Sequence, residues 1–316
     1  MSTKFNELLR ASFKSEDTEE WLDIYFNRPI GLCWALFFKK IHVHPNIVTI
    51  MSMILGAASG FMFFYHDIVH NIAGVLLLMF ANFYDSADGQ LARLTNQKTL
   101  VGRMLDGLSS DVWYVFIYAA VALRMMNDTI PFTSITWGLG IWVVIAYSGL
   151  VGHSRQCALA DYYRNIHLYF IKGKDGSELD SFEQQREILA QTPKKGNFWQ
   201  RAFIWGYGNY CKGQESRTPE FQKFRTALKV KYPNYQDIPA ELRADFREGS
   251  FPLMKYTNML TFNVRSIIMY IAFTIDMPWI YFLCEIVIFN IMYVGMRVSH
   301  EKMCHRLRLK HLEENE

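Results

Sequence analysis

Residues 83–111 read FYDSADGQLARLTNQKTLVGRMLDGLSSD, and apolar sequence lies on both sides of this acidic stretch. Asp85 and Asp88 stand three residues apart, so on a helix they share one face. Asp106 follows after a short polar segment, early in the next apolar run. The pattern predicts two consecutive membrane helices whose carboxylates converge at one edge of the bilayer.

The composition indicates a membrane protein. Of the 316 residues, 51% are hydrophobic and 20% are charged, yet the mean hydropathy is +0.01, so apolar and polar residues lie in separate blocks. This argues against one soluble globular domain, and 24 Phe, 17 Tyr and 8 Trp argue against a disordered chain. A net charge of +3 is too small to indicate a nucleic-acid partner. Five cysteines without a CxxC pair fit neither a disulfide framework nor a zinc finger.

Six stretches are predicted to cross the membrane. Residues 47–65 and 130–152 carry no charge over 19 and 23 residues, enough for a hydrocarbon core of about 30 Å. Four further apolar stretches contain ionisable side chains, which usually face the interior of a helix bundle because a charge in lipid is costly. They are residues 69–93, 102–126, 258–275 and 277–298. The predicted fold class is therefore all-α integral membrane, with six transmembrane helices.

The distribution of Lys and Arg predicts the orientation. Residues 1–44, 93–103 and 297–316 hold fourteen of them, against one, Arg124, in the short loops on the other side. Because Lys and Arg are enriched in cytoplasmic loops, both termini and the acidic stretch are predicted to be cytoplasmic. A bacterial inner membrane is favoured over the endoplasmic reticulum. No secretory signal is expected, because the first 23 residues are charged and lack an apolar core.

Two polar regions flank or interrupt the spans. Residues 20–42 mix aromatic, aliphatic and basic side chains, which predicts an interfacial amphipathic helix or, alternatively, a soluble cap helix. Residues 153–257 contain 17 basic and 12 acidic residues and are predicted to form a cytoplasmic insertion. Within this block, residues 194–212 place aromatics beside basic residues, which suits either contact with a membrane surface or core packing. The predicted segments are 1–44, 45–152, 153–257, 258–298 and the cytoplasmic tail 299–316.

The converging carboxylates predict a divalent metal site. They repel one another unless a cation neutralises them, and oxygen ligands of this kind select Mg²⁺, Mn²⁺ or Ca²⁺. Gly89 and Ala92 remove side-chain bulk next to them, and Arg93 supplies a positive charge for a phosphate. The alternative is that the carboxylates cap helix ends or pair with Arg93 and Arg103.

The same residues resemble a known family signature. They are spaced as Asp85-x2-Asp88-Gly89-x2-Ala92-Arg93-x8-Gly102-x3-Asp106, preceded by His44-Pro45-Asn46-Ile47-Val48-Thr49. This arrangement resembles the CDP-alcohol phosphotransferases, including their Pro-Asn-x-x-Thr entry to the first span, over about residues 29–126. The resemblance implies a six-helix homodimer that moves a phospho-alcohol group from a CDP-alcohol to an acceptor hydroxyl, releasing CMP, in phospholipid biosynthesis.

The resemblance also implies roles for individual residues. Two divalent ions, Mg²⁺ or Mn²⁺, would be held by the aspartates and bridged by the pyrophosphate of the donor. The implied contacts to nucleotide and pyrophosphate come from Asp88, Gly89, Ala92, Arg93, Gly102 and Arg103.

One position departs from the family pattern. The fourth aspartate of the family, its proposed general base and a further metal ligand, falls at position 110, where this chain has Ser110 followed by Asp111. On a regular helix, residue i+4 lies about 40° from Asp106, and residue i+5 about 140° away. A π-bulge between 106 and 111 would return Asp111 to the metal face, and Asp111 is the provisional base on this hypothesis. The alternatives are direct ligation by Ser110, a one-metal site or lost activity.

Basic residues near the cytoplasmic side suggest an anionic acceptor such as an inositol phosphate. They are His153, Arg155, Arg164, Arg265 and Arg297. These side chains favour CDP-diacylglycerol as donor to a small phosphorylated polyol. They can also extend to lipid headgroups, or pair with Glu285 and Asp161.

Other functions stay open at this point. The long polar block, residues 153–257, is also compatible with a CDP-ethanolamine or CDP-choline transferase that acts on diacylglycerol or ceramide. Ser110 alone supports a non-catalytic membrane scaffold of the same fold. A transporter is disfavoured, because the acidic residues lie at the membrane edge and not at its midplane. Gly56-x3-Gly60 predicts either a helix-contact motif or tight packing inside one chain.

Overall fold

The computed structural model describes residues 3–11, 15, 17–97 and 99–313. Every named element in this part of the chain is helical, and its one extended pairing is an isolated bridge between Thr129 and Thr136. The predicted all-α class is therefore confirmed. The chain forms two compact units, residues 1–153 with 263–287 and residues 154–262 with 288–316.

The helices follow one another as a series of long and short segments. The first seven are α1 (Thr3–Ala11), α2 (Arg28–Lys40, after the π turn Asp23–Asn27), α3 (Pro45–Phe63), α4 (Ile68–Leu94), α5 (Leu100–Met125), α6 (Gly140–Tyr147, before the π turn Ser148–His153) and α7 (Ser154–Lys172). The others are α8 (Phe182–Gln191), α9 (Phe198–Ser216), α10 (Pro219–Lys231), α11 (Ala240–Met259), α12 (Phe262–Thr274), α13 (Pro278–Leu283, before the π turn Cys284–Ile288) and α14 (Phe289–His311). Short 3₁₀ turns lie at Lys174–Gly176 and Tyr235–Asp237.

Four helical segments are long and apolar enough to cross a membrane, which indicates a multi-pass membrane protein. They are Pro45–Phe63, Ile68–Leu94, Met104–Met125 and Pro278–His311. Each matches a predicted span. The predicted span over residues 258–275 corresponds to α12, which has only 13 residues. The six-span count therefore stays a prediction.

The predicted helix over residues 130–152 is wrong at its beginning, because α6 starts only at Gly140. The preceding residues fold back on themselves, and the Ile130 N–H donates to the Ile135 carbonyl at 2.7 Å. Phe132 has a φ of +64°, a left-handed conformation that a right-handed helix does not contain. Residues 130–139 carry no charge, but they are not helical, so the uncharged stretch does not form one continuous helix.

The N-terminal prediction of a helix within residues 20–42 is confirmed by the π turn and α2. Ala35 and Phe38 of α2 are buried in one cluster with Ala87 and Leu91 of α4. Phe37, on another face of α2, is 49% exposed. The helix therefore packs beside the acidic face of α4, whereas its location at a membrane interface stays a prediction.

Helix caps determine where α4 and α5 end and begin. The Asp67 carboxylate accepts a hydrogen bond from the His70 N–H at 3.1 Å at the start of α4. The Thr99 hydroxyl accepts one from the Gly102 N–H at 2.9 Å at the start of α5. Since α4 ends at Leu94, only a short turn separates the two helices. The carboxylates near the end of α4 and the start of α5 thus lie at similar heights.

The glycines at 56 and 60 allow α3 and α5 to approach closely. A Cβ at Gly56 would lie 1.9 Å from Cδ1 of Trp113, and a Cβ at Gly60 would lie 2.7 Å from the backbone carbon of Phe116. Both distances are far below van der Waals contact. The Gly-x3-Gly motif is therefore explained by tight packing inside one chain.

Candidate metal centre

Three carboxylates meet where α4 ends and α5 begins. Asp85, Asp88 and Asp106 each offer a carboxylate oxygen, and these oxygens lie within 4.8 Å of one another. Asp88 is 3% exposed, whereas Asp106 faces outward. Three negative charges at this spacing repel strongly in a medium that excludes water. The donor set fits a hard divalent cation such as Mg²⁺ or Mn²⁺, which would neutralise them.

Asp88 is held by a hydroxyl from the first long helix. The Thr49 hydroxyl of α3 donates to Oδ2 of Asp88, and both side chains are buried. Thr49 is the last residue of the Pro-Asn-x-x-Thr segment, so the segment contributes directly to the carboxylate cluster. The sequence contained Thr49 as a motif residue but gave no role for it.

Asp85 is held by a hydroxyl from α5. Ser109 Oγ lies 2.5 Å from Oδ1 of Asp85 and 2.9 Å from the carbonyl oxygen of Asp106. Ser109 is 1% exposed, so this contact is shielded from water. Sequence reasoning missed Ser109, because no spacing rule distinguishes it from the serine that follows.

The predicted π-bulge in α5 is wrong. Residues 100–125 form an uninterrupted α-helix, so no extra residue is absorbed between 106 and 111. Asp111 accordingly lies outside the group of converging carboxylate oxygens, and its exposed side chain interacts electrostatically with His153 instead. On this regular helix Ser110, and not Asp111, lies one turn beyond Asp106, at the position where the resemblance implies a fourth aspartate.

The small residues of the motif, Gly89, Ala92 and Gly102, leave space that different neighbouring side chains occupy. A Cβ at Gly89 would lie 3.5 Å from Nη1 of Arg93, so the guanidinium lies alongside this bare stretch of α4. A Cβ at Gly102 would lie 2.9 Å from Oδ1 of Asn46, so this glycine admits the asparagine of the Pro-Asn segment. Ala92 is half-buried on α4. Arg103 lies on α5, and its side chain falls outside the described part.

A second ionisable cluster surrounds Glu285 in the same unit. Its carboxylate accepts from Nη1 of Arg265 at 2.5 Å and from the Tyr118 hydroxyl at 2.6 Å, and both ionic side chains are fully buried. His153 Nδ1 lies 3.3 Å from Glu285 Oε1. Ser148 donates to the same carboxylate. Pairing with Glu285, the alternative to acceptor binding, is therefore observed for Arg265 and His153.

Two of the three described π turns lie at this second cluster, and none lies in α5. His153 closes the turn Ser148–His153, and Glu285 lies in the turn Cys284–Ile288. The His153 ring also packs on Tyr114 of α5, with ring centroids 3.9 Å apart. Tyr114 is four residues beyond Ser110 and eight beyond Asp106, so these three residues lie along one stripe of α5. His153 is thus placed beside the stripe that carries the metal face.

The other predicted acceptor residues belong to the second unit. Arg164 Nη2 donates to Oδ1 of Asn258 at 3.0 Å, and Arg297 Nε donates to the Arg217 carbonyl at 2.8 Å. Arg155 is exposed on α7. Their role in acceptor binding stays a prediction.

Comparison with known proteins identifies the part of the chain that carries the carboxylates. Residues 42–163 match the family model described as CDP-alcohol phosphatidyltransferase. These residues therefore form a CDP-alcohol phosphatidyltransferase domain. The predicted family is confirmed for this domain, which contains the Pro-Asn segment, the aspartates and His153.

One curated relative matches part of the chain. A protein of Aquifex aeolicus (strain VF5), described as uncharacterized, is 30% identical over 99 residues. The match covers 31% of this chain and 42% of that protein, so it spans less than half of the relative's length. No solved structure matches the chain.

Proposed function

We propose that the protein is a metal-dependent CDP-alcohol phosphotransferase of phospholipid synthesis. The observation that carries this proposal is the convergence of Asp85, Asp88 and Asp106 within the CDP-alcohol phosphatidyltransferase domain. In the proposed reaction, the oxygen of an acceptor hydroxyl bonds to the phosphorus that carries the donor alcohol. The bond from that phosphorus to CMP breaks, and CMP leaves with the electron pair.

The three aspartates are proposed to hold Mg²⁺ or Mn²⁺, with room for two ions. When bound, such an ion would neutralise charge on the pyrophosphate of the donor and on the transferring phosphorus. Thr49 and Ser109 orient Asp88 and Asp85 through their hydroxyls. Loss of a hydrogen-bond partner of a metal ligand typically costs about 10- to 100-fold in metal affinity.

The pyrophosphate is proposed to lie along the bare surface of α4. Gly89 and Ala92 leave the helix backbone accessible, and Arg93 beside Gly89 supplies a permanent positive charge. A planar guanidinium binds phosphate oxygens through two parallel hydrogen bonds. Gly102 and Arg103 at the start of α5 would complete this cradle.

The proton of the acceptor hydroxyl needs a base, and we propose His153 in place of the displaced Asp111. Glu285 Oε1 lies 3.3 Å from Nδ1 of His153, so its carboxylate would hold the ring when the ring takes up the proton. The contact with Tyr114 places the ring beside the stripe of α5 that carries Asp106 and Ser110. Asp111, which interacts electrostatically with His153, would stabilise the imidazolium that forms.

For the substrates, we propose CDP-diacylglycerol as donor and a small polar acceptor such as an inositol phosphate. The basic residues Arg155, Arg164 and Arg297 support an anionic acceptor, while Arg265 is occupied by Glu285. The alternative is CDP-ethanolamine or CDP-choline as donor to diacylglycerol or ceramide. Both routes place one lipid substrate in the membrane that the apolar helices indicate. The homodimer, the cytoplasmic orientation and the bacterial inner membrane remain part of the proposal.

The test is CMP release by the purified protein in detergent with Mg²⁺ or Mn²⁺. CDP-diacylglycerol and CDP-ethanolamine are each offered with a panel of inositol phosphate, inositol, diacylglycerol and ceramide. CMP release from CDP-diacylglycerol that requires inositol phosphate supports the proposed substrates. Release that requires CDP-ethanolamine and a lipid hydroxyl supports the alternative. Donor binding without CMP release from any pair would favour the non-catalytic scaffold.

A further inference from the structure

Helix α9 of the second unit leaves one of its faces uncovered. Phe198, Trp199 and Trp205 are 71%, 79% and 66% exposed, and Ala202 between them is exposed as well. Phe198, Ala202 and Trp205 stand four and three residues apart, so they line one face of the helix, with Trp199 at its border. These four residues are the aromatic face of α9.

The opposite face of α9 holds the helix in the fold. Ile204 and Cys211 are 5% and 2% exposed. A Cβ at Gly208 would lie 3.4 Å from the Cβ of Gln185 on α8, so the two helices are in contact there. Core packing, one of the two alternatives predicted for residues 194–212, therefore explains this face and not the aromatic face.

Two lysines stand directly before the aromatic face. Lys194 and Lys195 lie in the loop between α8 and α9, and both are exposed. Among the described residues, neither lysine side chain forms a hydrogen bond or an ion pair. The sequence from 188 to 214 contains four basic residues and no acidic one. Along the chain, the aromatic rings are therefore flanked by cationic side chains.

Contacts with the backbone fix the position of this loop. Nη1 of Arg201 donates to the Leu189 carbonyl at 2.8 Å and also to the Thr192 carbonyl. Gly196, whose φ is +81°, takes a left-handed conformation immediately before α9 begins. The two lysines are thereby held next to the first turn of the helix, where the aromatic face begins.

Such a surface matches the headgroup region of a lipid bilayer. Large exposed apolar patches are unusual on soluble parts of proteins. Tryptophan is enriched at membrane interfaces, because its ring is apolar and its N–H is polar. Lysines beside an apolar helix face add attraction to anionic lipid. Four helical segments of this protein are long and apolar enough to cross a membrane, so docking would occur within a chain that is already attached to a bilayer.

We propose that the aromatic face of α9 inserts its rings into the headgroup region of an anionic bilayer, with Lys194 and Lys195 bound to lipid phosphates. The helix lies parallel to the membrane surface in this arrangement, as amphipathic interfacial helices do. The docking is independent of the proposed phosphotransferase activity, because it involves no residue of the domain at 42–163.

The experiment measures where the aromatic face lies when the full-length protein is in nanodiscs of phosphatidylglycerol and phosphatidylcholine. The exposed Cys33 is replaced by serine, and Ala202→Cys is then added and labelled with the fluorophore NBD. Quenching by doxyl-labelled lipid reports contact with the bilayer, and quenching by iodide reports contact with water. The same protein without the added cysteine gives the background signal. Val230→Cys on α10, where the valine is 79% exposed, is the matched control.

The two labelled positions are expected to behave differently. We expect doxyl quenching at position 202 to exceed that at position 230 at least about threefold, and iodide quenching to be lower by a similar factor, because only the aromatic face contacts lipid.

The contribution of the lysines is tested by Lys194→Gln with Lys195→Gln. This double variant is expected to lower doxyl quenching at position 202 by about half or more, because two contacts with anionic headgroups are lost. Its matched control, Lys223→Gln with Lys231→Gln, removes two lysines from α10 and is expected to leave the quenching unchanged. Equal thermal midpoints show that both variants are folded.

Three results would overturn the proposal. Equal iodide quenching at positions 202 and 230, without doxyl quenching at 202, would place the aromatic face in water. A label at 202 that is shielded from iodide but not quenched by doxyl lipid would show that a protein partner, such as a second copy of the chain, covers the face. Doxyl quenching that the Lys194 and Lys195 variant leaves unchanged would contradict binding to anionic headgroups.

Discussion

Ser109 Oγ lies 2.5 Å from Oδ1 of Asp85 and thereby connects α5 to α4 inside the carboxylate cluster. The serine next to it, Ser110, stands where the family has its fourth aspartate. The two adjacent serines, Ser109 and Ser110, thus differ in their contact with the carboxylate cluster. Ser109 orients Asp85, a proposed metal ligand, and Ser110 occupies the position at which the family resemblance implies a further ligand.

This difference predicts opposite results for two small substitutions. Ser109→Ala removes the hydroxyl that orients Asp85, so we expect Mn²⁺ affinity to fall about tenfold or more. Ser110→Ala is expected to change it less than about twofold. Mn²⁺ electron paramagnetic resonance titration of the detergent-solubilised variants measures both. A larger loss in Ser110→Ala would show that Ser110 ligates the metal directly.

The base assignment predicts that His153→Gln lowers kcat about a hundredfold or more with little change in KM, as expected for loss of a general base. Asp111→Asn is expected to lower kcat by a much smaller factor, because it removes only a charge that would stabilise the imidazolium. Steady-state CMP release measures both variants. His153 also contacts Glu285, so its loss could destabilise the fold. The control is therefore that His153→Gln keeps the thermal midpoint and the Mn²⁺ affinity of the wild type. Activity that is lost in Asp111→Asn but kept in His153→Gln would identify Asp111 as the base.

The buried pair Arg265 and Glu285 predicts strong coupling in a double-mutant cycle. Arg265→Met removes the buried guanidinium from Glu285, and Glu285→Gln removes the carboxylate from Arg265 and His153, so each is expected to lower the free energy of unfolding by about 3 kcal/mol or more. The double variant is expected to lose less than the sum of the two. Denaturant unfolding in detergent provides the measurement. Additive losses would show that the two charges do not stabilise one another.

The contact of α3 with α5 predicts that Gly56→Ala is destabilising by about 1–3 kcal/mol, since its Cβ would overlap the Trp113 ring. Gly295→Ala is the matched control. It replaces another helical glycine, on α14, where a Cβ would meet no atom within 4 Å. That control is expected to keep or slightly raise the thermal midpoint. Equal midpoints for the two variants would mean that α3 and α5 are not in close contact.

The second unit predicts an acid-sensitive contact at Asp245. Hydrogen bonds from Lys310 and His311 lower the pKa of Asp245 below 3.8. A lowered pKa in the folded state contributes stability above the unfolded value, and this contribution disappears as the pH falls through the folded value. Asp245→Asn should therefore be less stable than wild type at neutral pH, with the difference shrinking as the pH falls below about 4. A difference that stays constant with pH would contradict the ionic contact.

The carboxylate site was readable from sequence because its signal is local. Asp85 and Asp88 are three residues apart on a strongly apolar helix, and Asp106 follows a short turn, so helical periodicity alone brings them together. The orienting hydroxyls were not readable in the same way. Thr49 reaches Asp88 only because α3 packs against α4, and Ser109 differs from Ser110 only by its angle around α5.

The wrong predictions concern residues 130–139 and α5, where the backbone conformation depends on more than the local pattern of charge and hydrophobicity. Residues 130–139 carry no charge, but Pro131 and the left-handed Phe132 turn the chain before α6 begins. The π turns Ser148–His153 and Cys284–Ile288 contain His153 and Glu285, side chains that meet across the fold, and no local pattern predicts such a meeting. The sequence predicts a bulge in α5, because Asp111 stands one residue beyond the position of the expected carboxylate. The chain instead keeps α5 regular and leaves Asp111 off the metal face.

The proposed metal-dependent phosphotransfer by the carboxylate cluster is tested by the rate of acceptor-dependent CMP release against Mn²⁺ concentration, for the wild type and for Asp88→Asn. We expect no release in EDTA, saturable activation by Mn²⁺ in the wild type, and release from Asp88→Asn reduced at least about a thousandfold at any Mn²⁺ concentration. Release that persists in EDTA, or that survives Asp88→Asn, would contradict it.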